Sequence, residues 1–304
     1  MFFTLLGGCQ DKKEDKPDMT KAFFPLNPAD DGVLRILAIG NSFCYYFMDE
    51  LYGMLKANGI EAVITNAYHS GCKLEQHWTW LNSKSPEYLF ITHSSNGKYT
   101  SEHIGLEAGI RTQNWDIVTL QHSYANVLTS YDTAYASMEP FASNLYAYLK
   151  EKFPLAKQYW HQTWSHQVGF PGYVENAPED TKVLSVEKQA SDYEIIRQTA
   201  LKMCEDHKVD RIPSGDAWQL ARTDTRVGDN LCARLSINNG EGDYYHDGDI
   251  GGGQYLNACV WFETITGQSC IGNTFRPTDY TLSEEMITGI QEAAHKAVAD
   301  MNAS

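Results

Sequence analysis

Short apolar runs that alternate with helical stripes constrain this chain more than any other feature. Leu34-Arg-Ile-Leu-Ala-Ile-Gly40 is apolar and closes on a glycine, which reads as a buried strand. Phe47, Leu51, Met54 and Leu55 then recur at helical spacing, and Asn58-Gly59 stops that helix. Further strands are expected at Ala62–Ala67, Trp115–Gln121, Gln158–Trp164 and Val209–Pro213. Between and after them, helices are expected at about Tyr131–Lys152, Val186–His207, Gly253–Thr266 and Ser283–Met301. Strands alternating with helices predict an α/β fold, a three-layer α/β/α sandwich around a mainly parallel five-stranded sheet. No linker and no internal repeat interrupts residues 31–304, which read as a single domain. Asn82–Ser101, Ser165–Thr181 and Arg222–Gly242 are the least regular segments and are expected to be insertions over a sheet edge or lids over a pocket.

Charge narrows the function. The chain carries 24 basic and 39 acidic residues, a net charge of −15, and no concentrated basic surface, which excludes a nucleic-acid partner. Aromatic residues make up 12% of the 304 residues, a richness that suits ring stacking on sugars as well as an ordinary core. No stretch of 18 consecutive apolar residues suggests a transmembrane helix. No Cys-x-x-Cys or Cys/His zinc spacing occurs, so neither a metal nor a cofactor is expected.

The N-terminus has its own signal. A short apolar run leads into Leu6-Gly7-Gly8-Cys9, and a polar, charged stretch follows. This resembles the lipobox of bacterial lipoproteins, although a basic n-region is missing. The resemblance implies lipidation at Cys9, a signal remnant and flexible tether over residues 1–30, and an exported protein that meets the membrane only through its lipid. Cys44, Cys72, Cys204, Cys232, Cys259 and Cys270 then remain, as buried small hydrophobes or as one or two disulfides. Cys44 and Cys72 lie close to candidate site residues, and a brace between them is one option.

Two motifs carry chemistry. In Ile39-Gly40-Asn41-Ser42-Phe43, a serine follows the first strand directly, at the end of an open sheet where ligands bind. Ser42 there is either a nucleophile served by backbone N–H groups at a helix start or simply that helix's N-cap. In Asp243-Tyr-Tyr-His246, a carboxylate three residues before a histidine can fix its tautomer and leave the other ring nitrogen as a base. A polar surface turn and a calcium loop with Asp247 and Asp249 are the competing readings, and the calcium loop lacks the spacing of an EF-hand.

Together these blocks resemble the SGNH hydrolases, the GDSL-type esterase superfamily. Gly40-Asn41-Ser42 is similar to the family's first block, with Asn41 in place of its Asp. Ser70-Gly71-Cys72 is similar to the second, and Asp243-x-x-His246 to the last. More narrowly, the chain resembles an uncharacterised branch of SGNH-like lipoproteins. The resemblance implies a flavodoxin-like fold and a Ser42–His246–Asp243 triad, with the Ser42 and Gly71 N–H groups in the oxyanion hole. The family's Gly-x-Asn-Asp block is absent; the third strand ends Leu120-Gln121-His122-Ser123. Gln121 is the leading candidate for the missing oxyanion donor, with His122 and Ser123 as alternatives. Asn41, His69, Trp164 and His166 are candidate substrate-binding residues, and for the last three ordinary packing or hydrogen bonding is the rival explanation.

The expected activity is hydrolysis of ester groups, foremost acetyl groups on carbohydrates, through an acyl-enzyme. The substrate would be an acylated glycan or another small ester. A non-catalytic glycan-binding lipoprotein on the same fold, and a lipid- or peptidoglycan-directed hydrolase, are the alternatives.

Overall fold

The computed structural model describes residues 31–124, 127–166, 168, 184–227, 252–279 and 281–303. Through them the chain runs β1 (Val33–Gly40), α1 (Met48–Ala57), β2 (Glu61–Tyr68), α2 (Leu74–Ser83), β3 (Tyr88–Ser94), β4 (Gly97–Ile104), α3 (Leu106–Ile110) and β5 (Ile117–Leu120). It continues with α4 (Tyr131–Ala136), α5 (Phe141–Lys152), β6 (Lys157–His161), α6 (Val186–His207), β7 (Asp210–Ile212), α7 (Ser214–Arg222), α8 (Gly252–Thr266) and α9 (Glu284–Asn302). The sheet order is β4-β3-β2-β1-β5-β6-β7.

β1 sits in the middle because its side chains are apolar on both faces. Ile36 and Ala38 join a core under α1, α7, α8 and α9, whereas Leu37 and Ile39 join a second core under α2 to α6. A strand with a period-two pattern that is apolar throughout is satisfied only between two helical layers. β1 pairs in parallel with β2 on one side and β5 on the other, and β6 and β7 extend the parallel set. The three-layer α/β/α architecture is therefore as expected from the alternation.

The five expected strands are all present, but the sheet is wider than expected. β3 and β4 add an antiparallel hairpin on the β2 edge, so the described sheet has seven strands rather than five. Most of the hairpin falls in the 82–101 segment read as irregular, and β4 runs three residues beyond it. The stretch expected as one helix over 131–152 is two, α4 and α5, separated around Pro140. Proline lacks an N–H and disfavours helix at the residue before it, so the pattern breaks there. Among the described residues no helix is long and apolar enough to cross a membrane.

The connections set up the site. β1 is followed through α1 by β2 on one side, and the chain later returns to β5 on the other side. The point between β1 and β5 is thus where the winding changes direction, the place where open α/β sheets leave a crevice at their carboxyl ends.

Leu37 is fully buried in the central strand. Leu37→Ala should lower the unfolding free energy by about 3 kcal/mol, through lost burial and a residual cavity. Urea denaturation measures this, and a loss below about 1 kcal/mol would contradict the placement of β1 at the core.

Candidate active site

Gly40 ends β1 opposite Tyr68 of β2, and Ile39 lies opposite Leu120 of β5. Asn41, Ser42 and Phe43 therefore leave the sheet at its carboxyl edge, between the starts of two loops. Ser42–Cys44 forms a single 3-10 turn, and α1 begins only at Met48. The expectation that Ser42 directly precedes the helix is corrected accordingly. A helix dipole acts within its first turn, so the α1 terminus does not serve Ser42.

The structure also decides between capping and another role for Ser42. Asn41 is the cap: its Oδ1 accepts from the Phe43 N–H at 3.0 Å. The same side chain's Nδ2 donates to the Cys72 carbonyl at 3.1 Å. One buried amide thus ties the Ser42 turn to the turn after β2. Asn66, within β2, adds a second tie by donating to the Cys44 carbonyl at 2.6 Å. Capping therefore does not account for Ser42, and Asn41 acts here as a brace.

The turn after β2 is His69-Ser70-Gly71-Cys72, closed by the Cys72 N–H donating to the His69 carbonyl at 3.3 Å. Gly71 has φ +63°, a left-handed conformation that glycine adopts without strain. It is exposed, and no hydrogen bond among the described residues takes its N–H. The His69 N–H donates to the Gly40 carbonyl at 3.2 Å, continuing the β1–β2 ladder into this turn. The His69 ring packs 4.6 Å from that of Trp80, with Nδ1 3.0 Å from the Ser70 carbonyl.

Gln121 follows β5 and lies against Gly40. A Cβ on Gly40 would stand 2.6 Å from Gln121 Cγ and 2.8 Å from both Gln121 Nε2 and Cys44 Sγ, so only glycine permits this approach. Gln121 is fully buried, yet neither atom of its amide has a hydrogen-bond partner among the described residues. A buried amide left unpaired costs about 1–3 kcal/mol per group, so its presence at this edge calls for a reason. His122, next in sequence, turns away: its Nε2 lies 3.1 Å from Ser137 Oγ. Ser123 is also buried.

The loop after β6 comes to the same rim. Trp164 stacks on Trp218 with ring centroids 4.7 Å apart and 3° between planes, and Phe43 leans on it at 4.8 Å. Trp164 is buried, so it supports the Ser42 turn from behind rather than offering a face for stacking. His166 is partly buried, with its ring 6.4 Å from that of Phe43. Burial lowers its pKa to about 4, and Arg222 adds to the shift.

Ser42, Asn41, Gly71, His69, Gln121, Trp164 and His166 thus gather at one end of the sheet. Asp243, His246 and Cys9 lie outside the described residues. Cys44, Cys72, Cys204, Cys259 and Cys270 are free thiols. The Cys44–Cys72 brace is not formed: the Cys44 thiol is directed to the Asn41 carbonyl at 3.3 Å and the Cys72 thiol to the Lys73 carbonyl at 3.5 Å. Burial pushes the Cys44 thiol up to about 12, so it is not a nucleophile at neutral pH. Sequence reading passed over Asn66, although a lone amide inside an apolar strand is a usable sign of a buried polar role. It also passed over Tyr45, Tyr46 and Tyr68, which surround the Ser42 turn.

Three histidines are held neutral near this edge. Burial lowers His77, His122 and His161 to about 3 from an ordinary 6.5. Below pH 6.5 the unfolded chain therefore binds protons that the folded chain refuses. Stability is full above that pH and is lost as pH falls from 6.5 towards 3, by up to about 1.4 kcal/mol per histidine per pH unit. The urea midpoint should accordingly be clearly lower at pH 5 than at pH 7.5. Equal midpoints would show that these imidazoles are not kept neutral by the fold.

No curated protein matches the chain. A DUF4886 family protein from Bacteroides uniformis is similar at 25% identity, over 88% of this chain and 95% of that one, with a TM-score of 0.71. A Slackia heliotrinireducens protein assigned as an SGNH hydrolase matches at 18% identity over 77% of this chain and 99% of that one, at a TM-score of 0.46. A lipase/acylhydrolase from Enterococcus faecalis matches at 14% over 77% and 96%, at 0.44. The model of the family described as "Domain of unknown function (DUF4886)" matches residues 35–297. The chain belongs to the DUF4886 family.

Proposed function

We propose that this protein is a serine hydrolase of ester bonds, with Ser42 as nucleophile. The observation that supports this most is the company Ser42 keeps: Gly71, whose N–H is unclaimed, and Gln121, whose buried amide is unpaired. Both are donors of the kind that an oxyanion requires, and both reach the end of the sheet at which Ser42 leaves β1.

In the proposed reaction, His246 takes the proton from Ser42 Oγ as that oxygen attacks an ester carbonyl. Asp243 orients the imidazole and stabilises its charged form. Both roles come from the Asp243-x-x-His246 spacing. The tetrahedral oxyanion is received by the N–H groups of Ser42 and Gly71 and by the Gln121 amide. Each such donor is worth roughly 3 kcal/mol of barrier. The alcohol leaves with the proton from His246, and water then attacks the acyl-enzyme with His246 again as base.

The proposed ester is an acetyl or similar small acyl group on a carbohydrate. The proposed location is outside the cytoplasm, tethered through a lipid on Cys9. Both rest on sequence: the aromatic richness and the lipobox-like start.

The test is turnover of p-nitrophenyl acetate and of acetylated oligosaccharides. Wild-type protein should hydrolyse both, Ser42→Ala should show no turnover above background, and Gln121→Leu should lower kcat about 100-fold or more. Equal rates for wild type and Ser42→Ala would remove Ser42 from the chemistry. A Gln121→Leu enzyme with unchanged kcat would leave the oxyanion to the two backbone donors.

A further inference from the structure

The Ser42 turn has a second neighbour that the hydrolytic reading does not use. Tyr45 follows the turn, and its ring packs 4.9 Å from that of Tyr68 at the end of β2 and 5.1 Å from that of Tyr46. The tilts are 40° and 45°, so Tyr45 joins the other two rings in a tilted cluster rather than a parallel stack. All three are only partly buried. Tyr68 lies directly opposite Gly40 in register, so the surface begins at the edge from which Ser42 emerges.

An ion pair borders the far side. Lys98, on β4, places Nζ 5.7 Å from the centre of the Tyr45 ring and 2.7 Å from the Asp49 carboxylate. Asp49 is held in turn by His93 at 3.2 Å. The added hairpin is what brings Lys98 here.

The chemistry of this surface selects its ligand. Half-buried tyrosine rings offer partly open apolar faces, which suit a molecule with one apolar face and a hydroxylated rim. An acyl chain has nothing to exchange for the hydration of the Lys98–Asp49 pair. The Lys98 ammonium and the Asp49 carboxylate neutralise each other, so the border offers hydrogen-bonding groups of both kinds without a net charge to select an ion. A neutral pyranose ring fits these conditions: its C–H face can lie on the rings while its hydroxyls reach the Lys98–Asp49 pair.

We propose that Tyr45, Tyr46 and Tyr68 form a platform on which a pyranose ring of a neutral glycan stacks beside Ser42. The proposal rests on the hydrolase reading only in making that glycan the carrier of the reacting ester. Ring binding itself needs no turnover, so the two readings fail separately.

The test is calorimetric titration of the full chain with xylohexaose, cellohexaose and mannohexaose, none of which carries an ester. Wild type and Ser42→Ala should both bind at least one of them. Tyr45→Ala and Tyr68→Ala should weaken that binding at least tenfold, while Tyr68→Phe should stay within about threefold, because the ring is what the sugar meets. Thermal melts confirm folding, and Tyr46→Ala stands in for any variant that melts early. The proposal is overturned if none of the hexasaccharides binds, or if the alanine variants bind like wild type. Hexasaccharide binding by a protein without esterase turnover would keep the platform and remove the hydrolase.

Discussion

The Asn41 side chain fixes the geometry on which the site depends. Its Oδ1 shapes the Ser42 turn, and its Nδ2 anchors the turn after β2 through the Cys72 carbonyl. Two loops leaving two adjacent strands are thereby held against each other with both polar ends of one buried amide satisfied. Removing it would orphan a buried carbonyl and a backbone N–H together, which costs more than the net worth of either bond. The position of Ser42 relative to Gly71 is a consequence of this brace, supported from below by Asn66 and from behind by Trp164 and Phe43.

That brace works because the sheet beneath it is rigid. β1 is clamped between two apolar cores and two parallel neighbours, so its carboxyl end has little freedom. The close approach of Gln121 to Gly40 shows the same tightness. The unpaired Gln121 amide therefore sits at the packed carboxyl edge of the central strands, beside the turn that carries Ser42.

Much of this was legible in the residues. β1 and β5 announce themselves because strands buried on both faces carry mostly apolar residues, β2, β6 and β7 are shorter or more polar runs legible mainly from their place between helical stretches, and α6 and α9 have helical spacing together with serine caps at Ser185 and Ser283. The β3–β4 hairpin was harder to see. β4 is largely exposed and polar, so it lacks the alternation of a half-buried strand. Its clearest sign was Asn96-Gly97, with Gly97 at φ +102°. α7 hides behind Pro213 and Gly215, which look like loop residues, although Gly215 is required by its contact with the Thr163 carbonyl. At the site, the order of the Ser42 and Gly71 blocks was readable, but the brace was not. Asn41 is a side chain whose partners lie on a different loop, and only three-dimensional proximity reveals them. The burial of Trp164 was invisible for the same reason, because its partner Trp218 lies on α7.

Labelling with a serine-directed fluorophosphonate, followed by peptide mass spectrometry, tests the central claim most directly. The account predicts a single covalent adduct on the peptide containing Ser42. An adduct on another serine, or a folded protein that takes no label, would contradict it.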